Sequence, residues 1–294
     1  MARLLLALLI LALLILALAA PASAQAFRSD RIAVTARGAG PDVILIPGLA
    51  STPAVWDATV RALDDRYRVH VVAVNGFGDT APGANARGPL TVAIADELRR
   101  YAAEQGLERP AVIGHSLGGQ IALRMAADAP GRVGRVMVVD SSPFFPSLIN
   151  GRATTADVAP IAEVARTAVL FLGDEVLRQQ AGVAGRRLGG AADAVVGAMG
   201  WQGGDRRVLA QGIYEVMTTD LRADLARVTA PVTVVYGWSE SVDSPRHQVD
   251  QGFRQGFLRL RNAARFERIE GAQHMVMIDR PQAFLASVNR FLTR

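Results

Sequence analysis

The sequence contains no cysteine and no lysine, and each absence excludes a class of protein. Without cysteine the chain has no thiol for a lipid anchor, no disulfide scaffold and no thiolate metal site. Because lysine is absent, all 32 basic residues are arginine, and the formal net charge of +5 is spread along the chain. The densest basic stretch, 254–268, is typical of a solvated surface. We therefore expect no nucleic-acid partner.

Motifs for metal and nucleotide chemistry are also missing. The chain has no His-Glu-x-x-His motif, no phosphate-binding P-loop and no pairing of carboxylates that requires a metal. We therefore expect neither a metal ion nor an organic cofactor.

The first 24 residues have the pattern of a secretory signal peptide. Arg3 supplies a positive charge, residues 4–20 are an unbroken run of Leu, Ile and Ala, and Ala22-Ser23-Ala24 forms a small-residue cleavage site. The apolar run exceeds the roughly 7–15 residues usual for such a segment, so an uncleaved membrane anchor is the alternative. We predict cleavage after Ala24, a periplasmic or secreted protein, and no stable membrane insertion after cleavage.

Short apolar runs alternate with longer amphipathic ones from Ile32 onwards, a pattern typical of a parallel sheet with helices on both faces. Several runs are apolar at nearly every position, as expected of strands that are covered on both sides. The prediction is a doubly wound α/β fold with a mostly parallel sheet of about eight strands. Candidate strands span 31–38, 42–48, 68–74, 110–114, 134–140, 231–237 and 266–270.

The alternation is interrupted once, between Pro143 and Gly204, where helical stretches at 155–179 and 191–199 are joined by glycine-rich segments. The interruption is too long for a simple loop. We therefore predict a helical cap over residues 143–204, inserted into a core formed by residues 25–142 and 205–294. A cap of this size favours a small or slender substrate.

A serine stands between glycines where the strand at 110–114 gives way to a helical pattern, in the sequence Gly-His-Ser-Leu-Gly-Gly (114–119). Glycine and serine are also common in ordinary turns, so the alternatives are a simple turn at the end of the strand and a tight turn that presents its serine as a nucleophile. A serine nucleophile needs a base, and the chain has four histidines. Only His274 follows a strand in a loop, where ligands bind in open α/β sheets.

The chain resembles serine hydrolases of the α/β-hydrolase fold, of the esterase or lipase kind with a helical cap. Four segments carry this resemblance in the family's order, although Pro47 replaces the usual histidine of the first segment and Gln273 replaces a common glycine of the last. These segments are ILIPGLAST (44–52), NGFGDT (75–80), GHSLGG (114–119) and GAQHMVMIDRPQAF (271–284).

The resemblance implies a role for each part of the site. Ser116 would be the nucleophile, and His274 would be the general base and then the acid for the leaving group. The backbone N–H groups of Leu49 and Leu117 would stabilise the oxyanion.

Three carboxylates are candidates for the acid that orients His274. The family usually places the acid after the strand at 231–237, where Glu240 stands with Asp243 close behind. Some members place it one strand earlier, and there Asp140 ends an apolar strand. A carboxylate in that position is costly to bury without a partner, which favours contact with an imidazole. The order of preference is Asp140, Glu240, Asp243.

Taken together, these patterns predict an exported serine hydrolase that cleaves a small carboxylic ester through an acyl-enzyme. Aminopeptidases, lactonases, C–C hydrolases and cofactor-free haloperoxidases share this set of residues, and a non-catalytic binding protein is a further alternative. Dehalogenases and epoxide hydrolases of this fold are disfavoured because they need aspartate at position 116. The oligomeric state is not predicted by any pattern in the sequence.

Overall fold

The computed structural model of the chain describes residues 27–171, 202–240 and 244–293. Its strands form one sheet in the order β1-β3-β2-β4-β5-β6-β7, in which β1 is antiparallel to β3 and all other pairs are parallel. About eight strands were predicted, and the described residues contain seven, one for each candidate apolar run. The strands are β1 (Ile32–Arg37), β2 (Asp42–Ile46), β3 (Arg68–Val74), β4 (Ala111–His115), β5 (Arg135–Val139), β6 (Val232–Trp238) and β7 (Arg265–Glu270).

Helices follow the strands and cover both faces of the sheet, so the predicted doubly wound α/β fold is confirmed. A one-turn helix, Val276–Asp279, precedes the last long helix. The other α-helices in the described part of the chain are α1 (Asp57–Leu63), α2 (Thr91–Glu104), α3 (Leu117–Asp128), α4 (Thr155–Phe171), α5 (Arg206–Thr218), α6 (Arg246–Gly256) and α7 (Pro281–Leu292).

Two hydrophobic cores arise because successive side chains of a strand point to opposite faces. In β2, Ile44 and Ile46 belong to the core beneath α2, α3, α5 and α6, whereas Val43 and Leu45 belong to the core beneath α1 and α7. All four side chains are fully buried. This double burial explains why the strand is apolar at consecutive positions.

The parallel strands bring the candidate site residues to one edge of the sheet. Ser116 directly follows β4, Asp140 directly follows β5, and Glu240 and His274 lie shortly after β6 and β7. Since β4, β5, β6 and β7 are neighbours in that order, the loops at their carboxyl ends are adjacent.

The chain between β5 and β6 contains the segment predicted as a cap. In its described part, α4 packs along α5, where the Thr155 hydroxyl donates to the Thr218 carbonyl at 3.1 Å and Arg166 lies over the Tyr214 ring. The predicted helical stretches beyond Phe171, and the predicted signal peptide (1–24), lie outside the described residues. Within 27–171, 202–240 and 244–293, no helix is both long and apolar enough to cross a membrane.

Glu215 of α5 joins that helix to the first turn of α2. Its carboxylate accepts hydrogen bonds from the backbone N–H groups of Leu90 at 2.6 Å and Thr91 at 2.7 Å, and from the Gln211 side chain. A carboxylate at this position satisfies N–H groups that a helix leaves unpaired, and it interacts favourably with the helix dipole.

Replacing Glu215 by alanine is expected to lower the free energy of unfolding by roughly 2–4 kcal/mol, because two buried N–H groups lose a charged acceptor. Chemical denaturation measures the loss. The matched control is Glu163→Ala, which removes an exposed ion pair with Arg166 and is expected to cost less than about 0.5 kcal/mol. Equal losses in the two variants would contradict this role for Glu215.

Candidate active site

Ser116 occupies a strained turn between β4 and α3. Its φ of 52° and ψ of −121° lie outside the regions that a residue with a side chain normally adopts. Such a conformation costs on the order of 1–3 kcal/mol and is characteristic of functional sites. The Ser141 hydroxyl supports the turn by donating to the Ser116 carbonyl at 2.6 Å.

The glycines around Ser116 are required by close packing of the backbone. A Cβ atom on Gly114 would lie 2.1 Å from the Gly118 carbonyl oxygen, and one on Gly118 would lie 2.4 Å from the Ile46 carbonyl oxygen. A Cβ on Gly119 would lie 2.6 Å from the Ser141 side chain. The glycine pattern seen in the sequence is therefore a packing requirement of the turn.

Gly114→Ala is expected to lower the free energy of unfolding by roughly 2–3 kcal/mol, because neither backbone can move away without distorting the turn. Urea denaturation measures the change. In the control, Gly151→Ala, the new Cβ meets only the end of the Gln255 side chain, which can rotate away. A Gly114→Ala protein as stable as Gly151→Ala would contradict the packing requirement.

His274 is hydrogen-bonded to Asp140, with 2.6 Å between His274 Nδ1 and Asp140 Oδ2. The other carboxylate oxygen of Asp140 accepts from the backbone N–H of Gly237 at 3.0 Å. An ionised carboxylate only accepts hydrogen bonds, so the neutral imidazole in this contact carries its proton on Nδ1 and has its lone pair on Nε2. This is the protonation state that a general base requires.

Glu240, the second candidate carboxylate, stands apart from this contact. Glu240 is exposed, and no hydrogen bond connects its side chain to His274. Asp243 lies outside the described residues. Of the candidates within the described residues, the structure brings Asp140 to His274 and does not bring Glu240.

Gly237 is a part of the site that the sequence analysis did not identify. A Cβ on this residue would lie 2.4 Å from the Gln273 carbonyl oxygen and 2.7 Å from that of Ala272, so glycine permits the histidine loop to approach β6. Its N–H also fixes the orientation of Asp140. The available signal was a glycine at the end of an otherwise apolar strand, which marks a close approach of another backbone.

The segment after β2 lies against the serine, since a Cβ on Gly48 would be 3.1 Å from Ser116 Cβ. Within the described residues, the backbone N–H groups of Leu49 and Leu117 donate no hydrogen bond, and Leu117 begins α3. Gln202 forms two hydrogen bonds with the loop after β2. Its side chain accepts from the Thr52 N–H at 2.6 Å, and its own N–H donates to the Ala50 carbonyl at 2.8 Å.

The remaining histidines occupy different environments. His70 is buried near the amino end of β3, hydrogen-bonded to Asp42 and Tyr101, and burial lowers its pKa. His247 is exposed on α6. His115 is fully buried, and its ring centroid lies 4.6 Å from that of His274.

Within the described part of the chain, no group of three or more His, Cys, Asp or Glu side chains is arranged to hold a metal ion.

The chain is similar to known proteins in both sequence and fold. Residues 43–287 match the sequence profile of the alpha/beta hydrolase family. A pimeloyl-(acyl-carrier protein) methyl ester esterase from Nitrosomonas europaea is 30% identical over 225 residues, covering 72% of this chain and 82% of that protein. The esterase of the same name from Aliivibrio salmonicida is 28% identical over 258 residues, covering 87% and 93%. A hydrolase from Pseudomonas aeruginosa superposes with a TM-score of 0.66 at 25% identity, covering 90% of this chain and 94% of that one.

Proposed function

Because the chain belongs to the alpha/beta hydrolase family, we propose that it is an exported serine hydrolase that cleaves carboxylic esters of small molecules. Ser116 is the nucleophile, His274 is the general base and Asp140 is the acid that orients it. The observation that carries this proposal is the hydrogen bond between His274 Nδ1 and Asp140 Oδ2, 2.6 Å long.

The first half of the reaction forms an acyl-enzyme. The Ser116 hydroxyl gives its proton to His274 Nε2 while its oxygen attacks the ester carbonyl. The carbonyl oxygen becomes an oxyanion, which the backbone N–H groups of Leu49 and Leu117 stabilise. His274 then gives the proton to the leaving alkoxide, so the alcohol departs and the acyl group stays on Ser116.

The second half regenerates the serine. A water molecule gives a proton to His274 and attacks the acyl carbonyl, and a second oxyanion forms at the same two N–H groups. As this intermediate collapses, Ser116 takes back the proton from His274 and the carboxylic acid leaves. Throughout, Asp140 stabilises the imidazolium that forms on His274.

An ester is the favoured substrate because the relatives described above are named as methyl ester esterases. The test is hydrolysis of p-nitrophenyl esters with acyl chains from acetyl to dodecanoyl, and of aliphatic methyl esters, by the mature protein. We expect turnover together with covalent labelling of Ser116 by a fluorophosphonate, located by peptide mass spectrometry.

Two other results of this experiment would each favour a different function. Labelling of Ser116 without turnover of any ester would reject the esterase proposal in favour of a serine hydrolase with a different substrate, such as a lactone or a peptide. Absence of both labelling and turnover would favour a binding protein.

Export is proposed from the pattern of the first 24 residues, with cleavage after Ala24 and a periplasmic or secreted location. Amino-terminal sequencing of the protein recovered from a secreting bacterial host is expected to begin at Gln25. A protein that keeps residues 1–24 and sediments with membranes would instead indicate a membrane-anchored enzyme with the same chemistry.

A further inference from the structure

His115 precedes the proposed nucleophile, and its imidazole reaches two other loops of the site. Its Nε2 lies 2.9 Å from the backbone carbonyl oxygen of His274. On another side, a Cβ added to Gly48 would lie 2.7 Å from His115 Nδ1, so the ring packs against the backbone of the loop after β2. One buried ring therefore contacts the histidine loop and the loop that carries Leu49.

The hydrogen bond determines the protonation state of this ring. A carbonyl oxygen can only accept, so the proton of the neutral imidazole lies on Nε2. Nδ1 is buried and has no hydrogen-bond partner among the described residues. Burial, reinforced by repulsion from His274, holds the pKa of His115 well below its usual range, so the ring is neutral.

We propose that His115 is a positioning residue for His274: its Nε2–H holds the His274 backbone carbonyl and thereby sets the distance between the base and Ser116. This inference rests on the proposed function and assigns a role to a residue that does not touch the substrate.

Two hydrogen bonds would then define the placement of His274. Asp140 holds the imidazole at Nδ1, and His115 holds the main chain at the carbonyl oxygen. Because His115 and Ser116 are consecutive residues, the second contact links the main chain of the base to the residue next to the nucleophile. A displacement of about 1 Å at such a site costs on the order of 10²-fold in rate.

The kinetic test compares His115→Leu with His115→Gln. Leucine fills the space but has no donor, whereas the glutamine side-chain amide can donate from nearly the same position as Nε2. We expect His115→Leu to lower kcat for ester hydrolysis by roughly 10- to 100-fold with little change in KM. We expect His115→Gln to recover most of that loss.

A control separates positioning from general loss of a buried histidine. His70 is also buried and hydrogen-bonded, but it lies near the amino ends of β2 and β3. His70→Leu is expected to lower the thermal midpoint while kcat stays unchanged. Equal kcat losses in His115→Leu and His115→Gln, or a loss confined to KM, would overturn the proposal.

A second readout does not depend on turnover. In protein with ¹⁵N-labelled histidine at neutral pH, the His115 ring is expected to show the neutral form protonated at Nε2. Both variants remove the aromatic ring that lies 4.6 Å from that of His274, so they are compared with each other: the imidazole resonances of His274 are expected to differ between His115→Leu, which has no donor, and His115→Gln, which has one. An Nδ1-protonated or charged His115, or His274 resonances that are the same in the two variants, would overturn the inference even if esterase activity is present. Conversely, these spectra test the contact even if no ester is hydrolysed.

Discussion

Ser116→Ala is expected to lower kcat for ester hydrolysis by about 10⁴- to 10⁶-fold, because alanine has no group that can form the acyl-enzyme. The residual rate would come from substrate binding and from the N–H groups of Leu49 and Leu117, which remain in place. Stopped or continuous assays of p-nitrophenyl ester hydrolysis measure the ratio. The fold is expected to persist, since the strained backbone at position 116 is set by its glycine neighbours.

The matched control for this variant is Ser287→Ala. Ser287 is also buried, but it lies on α7, where its hydroxyl donates to the Ala283 carbonyl at 3.4 Å and accepts from Arg290 at 2.9 Å. Its removal is expected to leave kcat and KM unchanged. If Ser116→Ala kept more than about a hundredth of the wild-type kcat, hydrolysis would proceed without an acyl-enzyme on Ser116 and the proposed mechanism would be wrong.

Asp140→Asn is expected to lower kcat by about 10⁴-fold with the overall structure unchanged. The reason lies in the two hydrogen bonds of the carboxylate. Gly237 offers only an N–H, so the oxygen of the asparagine amide would turn towards Gly237 and its NH₂ group towards His274. His274 Nδ1 would then have to accept, and the imidazole proton would move to Nε2, where it blocks proton transfer from Ser116.

Glu240→Gln is the comparison that separates the two carboxylates within the described residues. Because Glu240 is exposed and has no hydrogen bond to His274, the change is expected to alter kcat by less than about twofold. Both variants should be assayed on the same ester, with thermal unfolding measured in parallel. A larger loss in Glu240→Gln than in Asp140→Asn would reverse the proposed assignment of the acid.

Much of the fold was predictable from the sequence because its signals are local. Each candidate strand formed within one or two residues of its predicted ends. In the central strands β2 to β6 the signal is strong because residues covered on both faces must be apolar at consecutive positions. The turn at Ser116 was also predictable, because only glycine fits where the backbones of Gly114 and Gly118 approach so closely. About eight strands were predicted, and the described residues contain seven.

Contacts between distant loops were not predictable in the same way. Glu215 shows this, because its bonds to Leu90 and Thr91 join residues more than a hundred positions apart in the chain. The sequence around Glu215 shows only one acidic residue on an amphipathic helix. The partner depends on how α5 packs against the start of α2, which local periodicity does not specify.

The sequence by itself determined the class of fold, the position of the serine turn and the position of His274 in the loop after the last strand. These features were predictable because backbone sterics and strand burial act over a few residues. Only the tertiary structure decided which carboxylate meets His274. Asp140 and Glu240 follow adjacent strands, and the run of residues in either strand does not specify which of the two carboxylates reaches the imidazole. The same is true of His115, whose contact with the His274 carbonyl exists only because β4 and the loop after β7 converge at one edge. Hydrogen bonds need distances within a fraction of an ångström, and the packing of the whole sheet sets those distances.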